Sequence, residues 1–162
     1  MALTKVIGSG IGTVTNQFAD GNLPAGAVLQ ILQQVTSGEV ASTSSSYVDT
    51  GLTLAITPSS ATSKIFILYT LHQFINATGA SSNLKLLRGS SSINETGYML
   101  HNGGSVIMGQ GTHHFLDTPE TTSELTYKVQ FTSVNNSATV YCTYDDSAGN
   151  ASSFLTLMEI AA

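Results

Sequence analysis

From Val28 onward, apolar and polar positions alternate with a period of two. The clearest case sets Leu125, Tyr127, Val129 and Phe131 against Glu124, Thr126, Lys128 and Gln130. Successive side chains of an extended chain point to opposite sides, so this pattern predicts a strand with one dry face and one wet face. Leu52, Leu54 and Ile56 alternate with Thr53, Ala55 and Thr57, and the run stops at Pro58-Ser59-Ser60, where proline removes the next ladder donor. Further strands are predicted at Val28–Val35, Leu84–Arg88, Ser105–Met108, Thr112–Leu116, Ala138–Tyr144 and Phe154–Ile160, separated by clusters of Gly, Asn, Asp and Ser. No stretch carries a sustained 3.6-residue stripe. Short strands at this spacing predict an all-β fold, a single β-sandwich domain of jelly-roll-like type.

Two stretches break the dry-and-wet rule. In Lys64–Phe74, Ile65, Ile67, Tyr69 and Leu71 fill one face while Phe66, Leu68, His72 and Phe74 load the other. Strands apolar on both sides are usual where helices cover a sheet, and no helix is available here. A second layer of the same chain or a neighbouring subunit must do the covering. A symmetric oligomer is the common way to bury a repeated apolar patch, so a subunit is the expected cover. The final run behaves similarly, with Phe154, Met158 and Ile160 on one face and Leu155 and Leu157 on the other. The expected subunit interface is Phe66, Leu68, His72, Phe74, Leu155 and Leu157. A chain that finishes on such a run is expected to have its terminus held within a sheet.

Residues 1–27 differ in kind. They hold five glycines (Gly8, Gly10, Gly12, Gly21 and Gly26) among scattered apolar residues with no sustained period. Such a segment cannot bury its apolar groups against itself, so it reads as an extended arm that docks on something else, through Leu3, Val6, Ile11, Val14 and Phe18. The domain expectation is an arm over 1–27 and a β-sandwich over 28–162.

Composition sharpens this picture. Only 9% of the 162 residues are charged, against roughly a quarter in ordinary globular domains. Ser, Thr, Asn and Gly supply the polarity instead, which suits a surface that packs against copies or neighbours better than one that handles a charged substrate. With a net charge of −5 and five basic residues spread along the chain (Lys5, Lys64, Lys85, Arg88 and Lys128), no cationic stripe for nucleic acid is present. The longest apolar run, Ile65–Leu71, is far shorter than the roughly 20 residues of a membrane helix, and no signal-peptide pattern is seen; the chain is expected to be soluble and made in the cytoplasm. The single cysteine, Cys142, alternates with Val140 and Tyr144 and reads as a small buried apolar side chain.

Motifs that carry chemistry are sparse. Gly8-Ser9-Gly10-Ile11-Gly12 lacks the G-x-G-x-x-G spacing and the Gly-Lys-Ser/Thr ending of phosphate loops. His72, His101, His113 and His114 are the strong nitrogen ligands, but His113 and His114 are adjacent and point to opposite faces of a strand, whereas a bidentate pair needs i and i+2. Asp145 and Asp146 lack the spaced acidic repeat of calcium loops. No G-x-S-x-G elbow is present to anchor a nucleophilic triad. The expectation is therefore no catalytic residue, no metal and no cofactor. Loops at Thr78–Ser82, Asn94–Gly104 and Asp145–Ser152 are the expected places for recognition of a host glycan, if the sandwich presents a binding site.

Ser46-Tyr47-Val48-Asp49-Thr50-Gly51-Leu52, then Ile56-Thr57-Pro58-Ser59-Ser60, Ser63-Lys64-Ile65, Leu86-Leu87-Arg88-Gly89-Ser90 and the closing Leu157-Met158-Glu159-Ile160-Ala161, together resemble a β-sandwich module that recurs in structural proteins of tailed bacteriophages, marine ones especially. The opening Met1-Ala2-Leu3-Thr4-Lys5-Val6 resembles the attachment segments of such virion proteins. The resemblance implies a jelly-roll-like homotrimer located on the virion, non-enzymatic, with the arm gripping other capsid or tail proteins. Coiled-coil heptads and collagen-like repeats are absent, so a compact short fibre, adaptor or decoration protein fits better than a long fibre.

Overall fold

The computed structural model describes residues 23–135, 138–144 and 151–162, with the backbone alone at Tyr98. Among the described residues, ten strands form two sheets packed face to face: β1 (Val28–Thr36), β2 (Val40–Ser42), β3 (Val48–Ile56), β4 (Lys64–Ile75), β5 (Ser81–Arg88), β6 (Ser91–His101), β7 (Ile107–Asp117), β8 (Leu125–Val134), β9 (Val140–Cys142) and β10 (Ser153–Ile160). The fold is all-β, a single antiparallel sandwich. In sheet A, β4 is flanked on one side by β7 and on the other by β10 and β9, which lie end to end and pair outward with β1 and β2. Sheet B runs β3-β8-β5-β6. The chain changes sheet six times between β2 and β9, as a jelly-roll-like topology requires.

Alternation explains the core. Ile65, Ile67, Tyr69, Leu71, Ile75, Leu155 and Leu157 point inward from sheet A and meet Leu52, Ile56, Leu84, Leu86, Tyr127, Val129 and Phe131 from sheet B, all of them buried. The run Leu125–Phe131 keeps its dry face in this core and its wet face outside, as its pattern predicts.

Three buried polar clusters tie the layers together. Asp117, at the end of β7, accepts two bonds from Arg88 Nη1 (3.0 and 2.9 Å) and one from the Tyr127 hydroxyl (2.6 Å), which clamps sheet A to sheet B. Glu159 accepts from Gln30 Nε2 (2.6 Å) and, at 2.7 Å each, from the Ser59 N–H and hydroxyl, fastening the 57–60 turn to β10 and β1. Gln73 accepts from the Ser82 hydroxyl (2.9 Å) and donates to the Cys142 sulfur (3.2 Å). Burial pushes the Cys142 thiol up to about 12.

Some boundaries differ from the sequence reading. Ser105 and Val106 lie before the strand, and Ile107–Met108 and Thr112–Leu116 are parts of one strand, β7, because Gly109 and Gly111 between them hold their places in an unbroken ladder with β4. Asn94–Gly104 is largely strand: β6 runs to His101 and pairs with β5, and its polar, half-exposed residues hide the alternation. Likewise Ser81 and Ser82 open β5, so Thr78–Ser82 is only partly loop. The final strand lies between β1 and β4, inside sheet A, as its doubly apolar pattern suggests.

Candidate functional site

The outward face of sheet A is the feature that asks for a partner. In antiparallel pairs, opposed residues point to the same side, so the ladders place outward side chains in rows across β7, β4, β10 and β1. The first row is Leu116, Phe66, Met158 and Ile31; the second is His114, Leu68, Thr156 and Gln33; the third is Thr112, Thr70, Phe154 and Val35. Farther along, β9 replaces β10, and the last row is Met108, Phe74, Tyr141 and Ala41. Ile31 (58%), Val35 (52%), Met108 (53%) and Leu116 (50%) are strongly exposed, large apolar side chains left to solvent. Phe66, Leu68, His72, Phe74, Phe154 and Met158 are half-buried.

Among the described residues, this face carries no carboxylate, ammonium or guanidinium between its first and last rows; Lys64 stands at its rim. Its polar groups are neutral and partly satisfied within the face, as in the Thr70–Thr112 hydroxyl pair (2.9 Å) and Gln33 Nε2 donating to the Thr156 hydroxyl (2.9 Å). His114 stacks on Phe66, with ring centroids 5.9 Å apart.

Sheet B presents the opposite chemistry. Its outer face bears the ion pairs Lys85–Glu95 (2.9 Å) and Lys128–Asp49 (3.1 Å), with the Lys85 ammonium also 3.8 Å from the centre of the Tyr47 ring. A hydrogen bond from Gln130 and the ion pair with Lys128 outweigh partial burial and hold the Asp49 carboxyl below its usual value. One face of the sandwich is built for water and the other is not.

At one end of the dry face three rings gather. Tyr144 stacks on Phe74 (4.3 Å, 20°), and Tyr141 meets Tyr144 edge-on (5.3 Å, 71°). Thr143, just before Tyr144, has φ 57°, a left-handed conformation that costs a β-branched residue on the order of 1–3 kcal/mol. It is held there by its N–H donating to the His72 carbonyl (2.6 Å) and its hydroxyl donating to Ser153 (2.9 Å). The kink it makes brings Tyr144 over Phe74, with the Tyr144 carbonyl 3.1 Å from His72 Nδ1.

Of the residues expected at a subunit interface, Phe66, Leu68, His72 and Phe74 lie on this uncovered face. Leu155 and Leu157 do not: both are fully buried in the chain's own core, opposite Tyr69 and Ile67. Phe154 and Met158 take the outward places instead. Both faces of β10 are apolar, so the alternation separates the two sets without saying which goes inside; pairing with β4 decides it. The arm residues Leu3, Val6, Ile11, Val14 and Phe18 lie outside the described residues, as does most of the Asp145–Ser152 loop.

Ile31, Val35, Met108 and Leu116 are the outward residues that the sequence reading did not single out, although Met108 and Leu116 share parity within one strand. His113 and His114 do point to opposite faces: His113 turns inward and stacks on Tyr69 (5.6 Å), where burial and then the neighbouring His114 lower its pKa. Among the described residues, no group of three or more His, Cys, Asp or Glu is placed to hold a metal ion, and no helix is long and apolar enough to cross a membrane.

No family model and no curated protein matches this chain. Among solved structures, the fold is similar to the infectious bursal disease virus VP2 subviral particle, at 9% identity and a TM-score of 0.45 over 83% of this chain and 40% of that one. It is similar to T=1 particles derived from infectious bursal virus, at 8% identity and 0.43 over 82% and 36%. It is also similar to dimeric latent PorU from Porphyromonas gingivalis, at 7% identity and 0.39 over 85% and 14%. Similarities this distant bear on neither activity nor partners, and this chain spans less than half the length of each of those proteins.

Proposed function

We propose that this protein is a non-enzymatic structural component of a phage particle, a homo-oligomer whose subunits meet through the outward face of sheet A. The face carries the proposal. From Phe66 to Phe74 it spans about 27 Å along β4 and four strands across, on the order of 500 Å², at the large end of what monomers leave exposed. A second subunit that covers it removes apolar area from water without stranding any charge, while the ion-paired face of sheet B stays wet. The trimeric order, the anchoring of residues 1–27 to capsid or tail proteins and the location on the virion rest on the sequence resemblance.

Sedimentation velocity on the full chain at micromolar concentration tests the oligomer. The expected result is a defined oligomer that Phe66→Asp dissociates. A folded wild-type monomer would overturn the proposal. For the arm, limited proteolysis is expected to remove the first residues, up to about the 27th, from free protein but not from assembled particles.

A second reading, recognition of a host surface glycan, is favoured by the Phe74, Tyr141 and Tyr144 cluster, since ring faces are suited to stacking on sugars. Glycan-array binding that Tyr144→Ala abolishes would support it, and an array without hits would remove it.

A further inference from the structure

Every sheet edge exposes unpaired backbone groups, and stable proteins blunt such edges with bulges, charges, brevity or a cover. Three of the four edges here are blunted. In β3 the ladder breaks between Asp49 and Thr53, around Gly51 at φ 88° and beside the charged Asp49. In β6 it shifts twice, and Glu95 projects from it. The β1 edge has a shift between Val28 and Gln30 and is strapped to β3 by Gln34, which donates to the Gly51 carbonyl (3.1 Å) and accepts from the Thr53 N–H (2.6 Å); β2, which continues that edge, has three residues.

β7 is different. It pairs with β4 through eleven consecutive residues without a shift, and from Ile107 to Leu116 it contains no charge and no proline. Among the described residues, β4 is its one ladder partner. Among the described residues, the edge is long, regular and open.

We infer that the β7 edge pairs with β7 of a second copy of this chain, antiparallel across a two-fold axis at Thr112. From Met108 to Leu116 the sequence of β7 is self-complementary in that register. On the outward face, Met108 meets Leu116 of the second copy, Gln110 meets His114, and Thr112 meets Thr112. Apolar then opposes apolar and polar opposes polar, and the exposed Met108 and Leu116 cover one another. On the inward face, Gly109 lies opposite Phe115 and Gly111 opposite His113, so each bulky ring faces a position without a side chain. At Gly111 the space a Cβ would take is filled by the subunit's own Met99 side chain, which fixes glycine there independently of any second copy.

A register shifted by one residue would pair outward with inward side chains, and a shift by two along the strand would set Met108 against His114. Pairing through β7 would join two copies of sheet A into one continuous sheet with a common dry face. This contact is separate from the face-to-face contact proposed above and does not depend on it.

Cysteine cross-linking of the full chain tests the register. Opposed Cα atoms in an antiparallel pair lie about 4.5–5.5 Å apart, within the roughly 4.4–6.8 Å that disulfides span. Under mild oxidation, Thr112→Cys is expected to form covalent dimers at least about ten-fold faster than Thr126→Cys, an exposed control on sheet B, because paired strands hold the thiols at high effective concentration. Gln110→Cys mixed with His114→Cys should cross-link faster than either does alone. The Thr112→Cys cross-link should persist when Met158→Asp is added, whatever happens to the larger oligomer. Cross-linking of Thr112→Cys no faster than the control, self-linking of Gln110→Cys in preference to linking with His114→Cys, or loss of the Thr112→Cys cross-link with Met158→Asp would each overturn the edge pairing.

Discussion

Leu157 and Met158 are neighbours on β10, and the fold gives them opposite duties. Leu157 is fully buried, opposite Ile67 on β4 and Leu32 on β1. Truncation to alanine removes packed methyl groups and leaves a cavity, which for a buried leucine costs about 3 kcal/mol. In a domain of this size that lowers the melting temperature by about 6–12 °C. Met158 is half-buried on the dry face, between Phe66 and Ile31. Met158→Asp therefore costs the isolated subunit no more than about 1 kcal/mol. In a dry interface, however, the same carboxylate would be stranded, a penalty of several kcal/mol per group. A loss of about 3 kcal/mol weakens association by at least about a hundred-fold.

Thermal melts followed by circular dichroism over a range of protein concentrations separate the two effects. Mass action makes the melting temperature of an oligomer rise with concentration. That dependence should survive in Leu157→Ala, at a lower temperature throughout, and fall in Met158→Asp to what the β7 edge contact alone supplies. An unchanged concentration dependence in Met158→Asp, or a Leu157→Ala protein as stable as wild type, would refute the assignment of faces.

Asp117→Ala leaves the Arg88 guanidinium and the buried Tyr127 hydroxyl without their shared acceptor and should cost about 2–4 kcal/mol, read as a drop in the urea midpoint. At Glu159, burial favours the neutral acid, but hydrogen bonds from Gln30 and Ser59 outweigh it and hold the pKa below the usual value. A carboxyl depressed on folding adds stability that is complete above its unfolded pKa of about 4.3 and is lost as pH falls through the lower folded value. The stability gap between wild type and Glu159→Gln should therefore be constant at neutral pH and shrink below about pH 4, as measured by urea titrations across that range. With its thiol pushed up to about 12, Cys142 should resist iodoacetamide in the folded protein and react on unfolding in urea, counted by intact mass.

The two-residue period was enough to define an all-β sandwich, because the requirement that alternate side chains be dry is local to each strand. It located β4, β8 and β10 closely and identified β4 as apolar on both sides. It missed the extent of β6, whose neutral polar residues carry little contrast, and it divided β7 at Gly109 and Gly111, where side-chain signal disappears although the backbone ladder continues.

Which apolar face goes inward is a different kind of fact. Leu155 and Leu157 can be told from Phe154 and Met158 by parity alone, but nothing local ranks the two pairs. The ranking comes from the alignment of β10 with residues nearly a hundred positions away on β4, where Ile67 and Tyr69 already point into the core. The dry surface made by Leu116, Phe66, Met158 and Ile31 likewise exists only because four distant strands are brought into one register. Alternation along a chain specifies which side chains share a side; only the long-range pairing of strands decides which side meets the core and which faces outward.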